Sequence, residues 1–128
     1  MNGGRARKSA LLLAAGRAAL GAAVLAAPEQ VTARWLGESN AKDPVVGDLA
    51  RSLGARDLAL GLLTLAALDD PVMGSRAQLL CALVDGVDTL ATIVARAALP
   101  RKGVFATVLF AGGSAGGGLY LSRRLAHP

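Results

Sequence analysis

Long apolar runs and short, proline-marked polar breaks alternate along the whole chain. The first run, Ser9 to Ala27, follows Arg5, Arg7 and Lys8 and stops at Pro28. The second follows Asp43-Pro44, the third follows Asp69-Asp70-Pro71, and the fourth follows Leu99-Pro100-Arg101-Lys102-Gly103. An aspartate can cap a helix start and a proline is tolerated in its first turn, so each break both closes one helix and opens the next. The pattern predicts helices over 9–27, 46–68, 73–99 and 104–123. Between the first two, residues 28–36 read as a short helix lying on a membrane surface. Pro28 takes its first position, Val31, Trp35 and Leu36 share one side, and Gly37 stops it. Trp35 is the expected interface anchor. Glu38 to Lys42 reads as a polar loop.

Each of these runs is long enough for the roughly 30 Å hydrocarbon layer of a bilayer. Only the fourth contains a strictly charge-free stretch of 20 residues, Gly103 to Ser122. Composition agrees with a membrane: 53% of the 128 residues are hydrophobic, mean hydropathy is +0.47, and aromatics are only 3%. The apolar residues are Ala, Leu and Val, which favour helices over strands. The expected fold is therefore all-α, a single domain over 1–128 built as a four-helix transmembrane bundle with an interfacial helix after the first span. A soluble four-helix bundle is the competing fold, and the fourth helix argues against it because it has no polar face to turn to water. The first run also begins as a secretory signal does. Its length of 19 residues, the interruption by Arg17 and the late Pro28 favour a retained span.

A net charge of +5 changes this picture little. The basic residues sit at the ends of the runs and in the connections, without interleaved aromatics, so the expected partner is the lipid bilayer and not nucleic acid. Arg5, Arg7, Lys8, Arg76, Arg123 and Arg124 fall on one side, while Arg34, Lys42, Arg101 and Lys102 fall on the other. The positive-inside rule then favours two cytoplasmic termini. Cys81 is the single cysteine and His127 the single histidine, too few for a disulfide or for the usual zinc or haem ligand sets. No cofactor or metal is expected.

The informative positions are charges inside the apolar runs. Arg17 lies near the middle of the first, Arg56 and Asp57 near the middle of the second, and Asp85 and Asp88 at and just past the middle of the third. A lone ionised side chain at mid-bilayer costs about 2.5 kcal/mol or more, so these groups should face the bundle interior and pair. Gln78, Cys81, Asp85, Asp88 and Thr92 share one helical stripe, consistent with an inward face. Arg56 and Asp57 are a hundred degrees apart on a helix and should reach different neighbours. The expected pairs are Arg56 with Asp85 or Asp88, and Arg17 with Asp57 or the remaining aspartate of the third helix. Two arginines against three aspartates leave a net −1, making the cluster a candidate ligand or proton site.

The fourth helix brings no charge to this level. It carries Gly112, Gly113, Gly116 and Gly117 in small-xxx-small register, a pattern that lets helices approach closely within the bundle or across a dimer. No strand precedes these glycines and their spacing is not that of a dinucleotide-binding loop.

The order Arg17, Leu20-Gly21, Pro28, Trp35, Gly37, then Gly54-Ala55-Arg56-Asp57-Leu58 with Gly61, then Val84-Asp85 and Asp88, resembles small four-helix integral-membrane proteins of unknown function from actinobacteria. The Gly-Ala-Arg-Asp core of the second helix is its distinctive part. The resemblance implies the fold and a bacterial plasma membrane, multi-pass, and it implies no substrate.

Three function classes follow. The first is a non-enzymatic accessory or scaffold subunit, as a homo-oligomer or within a larger membrane complex, organised around the Arg/Asp cluster. Its motive is that no hydroxyl or thiol nucleophile is paired with a base. The second is a proton- or cation-coupled carrier of a small solute, acting as an oligomer. The third is a lipid- or quinone-modifying enzyme using Asp85 and Asp88 as paired carboxylates on one metal ion.

Overall fold

The computed structural model describes residues 3–127. Over those residues the chain forms six helices and no strand: α1 (Gly3–Ala26), α2 (Pro28–Leu36), α3 (Glu38–Ala41), α4 (Pro44–Ala67), α5 (Pro71–Val94) and α6 (Arg101–Ala126). The proline punctuation works as its chemistry dictates. Asp43 caps α4 by accepting from Val45 N at 2.8 Å, and Asp70 caps α5 by accepting from Val72 N at 2.8 Å and Met73 N at 3.0 Å. Gly37, between α2 and α3, adopts φ of 86°, a left-handed conformation that side chains resist, which explains the glycine there.

Two boundaries differ from the sequence expectation. Glu38–Ala41 is a helical turn and not an open loop. The third long helix stops at Val94, short of Leu99. There the chain shifts to tighter turns, with Arg96 N on Ile93 O and Ala98 N on Ala95 O, because it must reverse before Pro100 opens α6. The Arg96 side chain donates to Ile93 O at 3.0 Å and so covers one of the carbonyls that the ending helix leaves free.

The four long helices form two tight pairs, α1 with α4 and α5 with α6, joined through α4–α5 and α1–α6 contacts. At 24 or more residues each is about 36 Å long at 1.5 Å per residue, longer than a hydrocarbon layer. By length and apolar composition α1, α5 and α6 can cross a membrane. The helix α4 is as long, but it carries Asp48, Arg51, Arg56 and Asp57. The short α2 lies across the end where α1 finishes and α4 and α6 begin, touching all three.

Polarity is arranged inside out. The inward stripe of α1 is Ala6, Ala10, Ala14, Ala18 and Gly21, while Leu12, Leu63, Val94 and Phe110 are 65–82% exposed. Thr64 and Gln78 are the largest fully buried side chains. Small residues inside make helix backbones meet closely. A methyl group at Gly61 would stand 2.6 Å from Ala18 N and 2.8 Å from Ala14 O, and one at Gly54 would stand 2.9 Å from Gly21 O. The α1–α4 pair is therefore held by backbone-to-backbone packing over two turns.

That geometry reverses the usual sign of a Gly→Ala change. Gly61→Ala is expected to destabilise by about 1–3 kcal/mol through overpacking. Gly16→Ala, where nothing lies within 4 Å, should be neutral or gain up to about 1 kcal/mol of helix propensity. Unfolding titrations of both variants in mixed detergent micelles check the contrast.

Candidate functional site

Three helices, α1, α4 and α5, supply the charged residues of the expected cluster, and the structure brings all five together. Arg17 on α1 donates through Nη1 to Asp57 Oδ1 on α4 at 3.1 Å and through Nη2 to Asp85 Oδ2 on α5. Arg56 on α4 grips Asp88 on α5 with both terminal nitrogens, at 3.1 Å and 2.6 Å, the paired geometry a guanidinium offers a carboxylate. Its Nη2 also lies 3.3 Å from Asp57 Oδ1. The charges thus form one chain of alternating sign, Asp85, Arg17, Asp57, Arg56, Asp88. It starts and finishes on α5 and passes through α1 and α4 on the way.

Burial is graded along that chain. Side-chain exposure is 7% at Asp85, 10% at Arg17 and 19% at Asp57, then 33% at both Arg56 and Asp88. The inner end is sealed in protein and the outer end reaches the seam between α4 and α5. With α5 ending at Val94, Asp85 and Asp88 lie past its midpoint, displaced toward the end that α2 covers. The two aspartates are engaged by different arginines, so they do not stand as a pair on one ion, and no group of three metal-ligating side chains gathers among the described residues.

Neutral polar residues continue the interior lining. Gln78 Nε2 donates to Ala10 O at 3.3 Å across α5 and α1, and the Thr64 hydroxyl lies 3.4 Å from Cys81 Sγ. The hydroxyls of Thr64, Thr89 and Thr107 donate to backbone carbonyls one turn earlier, so none is left unsatisfied in an apolar surround.

The glycines of α6 separate into two groups. Gly112 faces Thr89 on α5, and a methyl group there would stand 3.6 Å from that side chain, whereas Gly113, Gly116 and Gly117 have nothing within 4 Å. The contact that packs α6 on α5 most closely uses Gly118 against Ala82. Trp35 reaches inward as well as outward: its indole N–H donates to Thr107 Oγ1 on α6 at 2.6 Å, its backbone carbonyl lies against Gly103, and the residue is 37% exposed. It ties α2 to the start of α6.

The sequence reading did not single out Gly54 and Gly61 as packing positions, nor Thr107 as the partner of Trp35. The seven-residue spacing of Gly54 and Gly61, opposite an alanine stripe repeating every four residues in α1, carries the first signal. Nothing local announces the second, because 72 residues separate the partners.

Two hollows lie at opposite ends of the bundle. One, of about 310 Å³, is lined by Glu29, Gln30, Ala33, Glu38 and Lys42, and the other, of about 190 Å³, by residues that include Arg7, Asp69 and Arg124. No family model matches the chain, and no curated protein or solved structure shows significant similarity to it. Fold and site together define an all-helical protein with three helices fit to cross a membrane and an ion-pair chain inside.

Because Arg17 joins the buried Asp85 on α5 to the half-buried Asp57 on α4, removing it should be severe. Arg17→Met is expected to cost about 3–5 kcal/mol, the penalty for stranding buried partners. Arg56→Met should cost less, since Arg56 and Asp88 keep partial access to the surface. Adding Asp57→Asn and Asp85→Asn to Arg17→Met should restore part of the loss. Detergent unfolding midpoints of the three variants check the ranking.

Proposed function

We propose that the chain is a non-enzymatic accessory or scaffold subunit of a bacterial plasma membrane. It crosses four times, with both termini cytoplasmic, and works within a homo-oligomer or a larger membrane complex. The observation that carries this reading is the closure of the ion-pair chain. Every aspartate in it accepts from an arginine, and it knits α1, α4 and α5 together where small side chains provide little apolar packing. The fourth crossing belongs to α4. Its charges at Arg56 and Asp57 are engaged within the chain, while Leu49, Leu53, Leu62 and Leu63 point outward, 44–65% exposed. The open glycines of α6, Gly113, Gly116 and Gly117, supply a flat face on which another helix can seat.

Gly113→Leu with Gly117→Leu tests the scaffold role. Both side chains enter open space, so the fold should persist, while the size of the complex recovered by mild detergent or by crosslinking in native membranes should fall. An unchanged complex would remove the α6 face from the proposal.

A second reading, a proton- or cation-coupled carrier acting as an oligomer, is favoured by the net −1 of the cluster and by the one-third exposure of Asp88. Asp85→Asn with Asp88→Asn should then leave folded protein without proton or solute flux in proteoliposomes. Flux equal to that of the unaltered chain would eliminate the carrier.

A further inference from the structure

The outer end of the ion-pair chain is in an unusual place. Arg56 and Asp88 lie well inside α4 and α5, yet a third of each side chain is exposed at the seam between the two helices. The surface around them is apolar, with Leu53 and Leu63 exposed on α4 and Val84 half-buried on α5. Membrane proteins turn charges at such a depth toward protein or water and away from hydrocarbon.

The arrangement of the two charges says what covers them there. Arg56 and Asp88 sit on antiparallel neighbours, and their own hydrogen bonds hold them at one depth. A two-fold axis along the membrane normal, placed against the seam, sets α4 of one copy opposite α5 of the other. Each Arg56 then meets Asp88 of the second copy at the same depth, so opposite charges face each other twice. The seam is self-complementary in sign. It is also low in relief, because Ser52 and Ala59 on α4 and Ala91 on α5 are small and exposed, which lets two such faces approach closely.

We infer that the α4–α5 seam around Arg56 and Asp88 is a self-association face, occupied by a second copy of this chain in a two-fold dimer. The four charges of the two copies form a closed ring at its centre. The inference rests on the membrane-spanning scaffold reading above and names the surface through which copies of the scaffold meet. The open glycines of α6 are left to contact a different chain.

Crosslinking between differently tagged copies tests it without disturbing the ion pairs. In a Cys81→Ala background, one copy carries Ser52→Cys and the other Ala91→Cys, each one turn from Arg56 or Asp88. The two are co-expressed, and isolated membranes are treated with a short bifunctional maleimide. The expected result is a product of twice the chain mass bearing both tags, absent when Leu12→Cys replaces Ser52→Cys. Four results would overturn the inference. Labelling of both thiols by a membrane-impermeant maleimide, without crosslinking, would show that the seam faces water. Thiols that neither crosslink nor label would show that it faces lipid. Crosslinking only between Gly113→Cys copies would move self-association to α6 and leave the scaffold reading standing, whereas a chain monomeric in native membranes by every crosslink would remove the self-association half of that reading as well.

Discussion

An arginine on α1 placed between two aspartates, one on α4 and one on α5, is the contact that fixes how the helices of this bundle sit. In a chain whose interior is mostly alanine, glycine, threonine and serine, with buried leucines only at Leu68, Leu121 and Leu125 among the described residues, little apolar area is available to make one helix arrangement better than another. For helices that cross a membrane, as α1, α5 and α6 are long and apolar enough to do, the hydrophobic effect adds even less, because hydrocarbon outside is as apolar as the side chains within. An unpaired charge in such surroundings is costly, so the arrangements open to the helices narrow to those in which Arg17 reaches Asp57 and Asp85 together. Ion pairing here acts mainly by excluding alternatives. That is why it sits beside close glycine packing at Gly21, Gly54 and Gly61, which tolerates only a small range of helix positions.

The two ends of the charge chain differ in burial although each is an aspartate held by one arginine: Asp85 is sealed against α1, and Asp88 opens on the seam between α4 and α5. Three carboxylates and two guanidiniums cannot close into neutrality within one copy. The exposed end is Arg56 with Asp88, where the seam between α4 and α5 opens. The cluster is thereby divided in its roles: its buried part specifies the fold, and its exposed part is able to meet another molecule.

Much of the fold was legible in the residues because it rests on local rules. Asp-Pro breaks announce helix starts through capping and a fixed φ, and the caps at Asp43 and Asp70 both form. The convergence of Arg17, Arg56, Asp57, Asp85 and Asp88 was legible too, since charges at similar depth in apolar helices have only one another to meet. The end of α5 was not. The periodic apolar pattern runs on through Ala98 and Leu99, while the turn that reverses the chain is set by the need to bring α6 back along α5.

Local residue order is enough to establish the kind of object: long apolar helices, their starts, and a charged layer that has to be internal. Which charge meets which comes from the packing. Whether Arg56 would take Asp85 or Asp88 was open, because both lie on one helical stripe, and the antiparallel register of α4 against α5 selects Asp88. Packing likewise divided the glycines of α6, turning Gly112 to Thr89 and leaving Gly113, Gly116 and Gly117 open. Spacing along a helix fixes which residues share a face, but the rotation of that helix is chosen by all its neighbours at once, and that choice is written in no single segment.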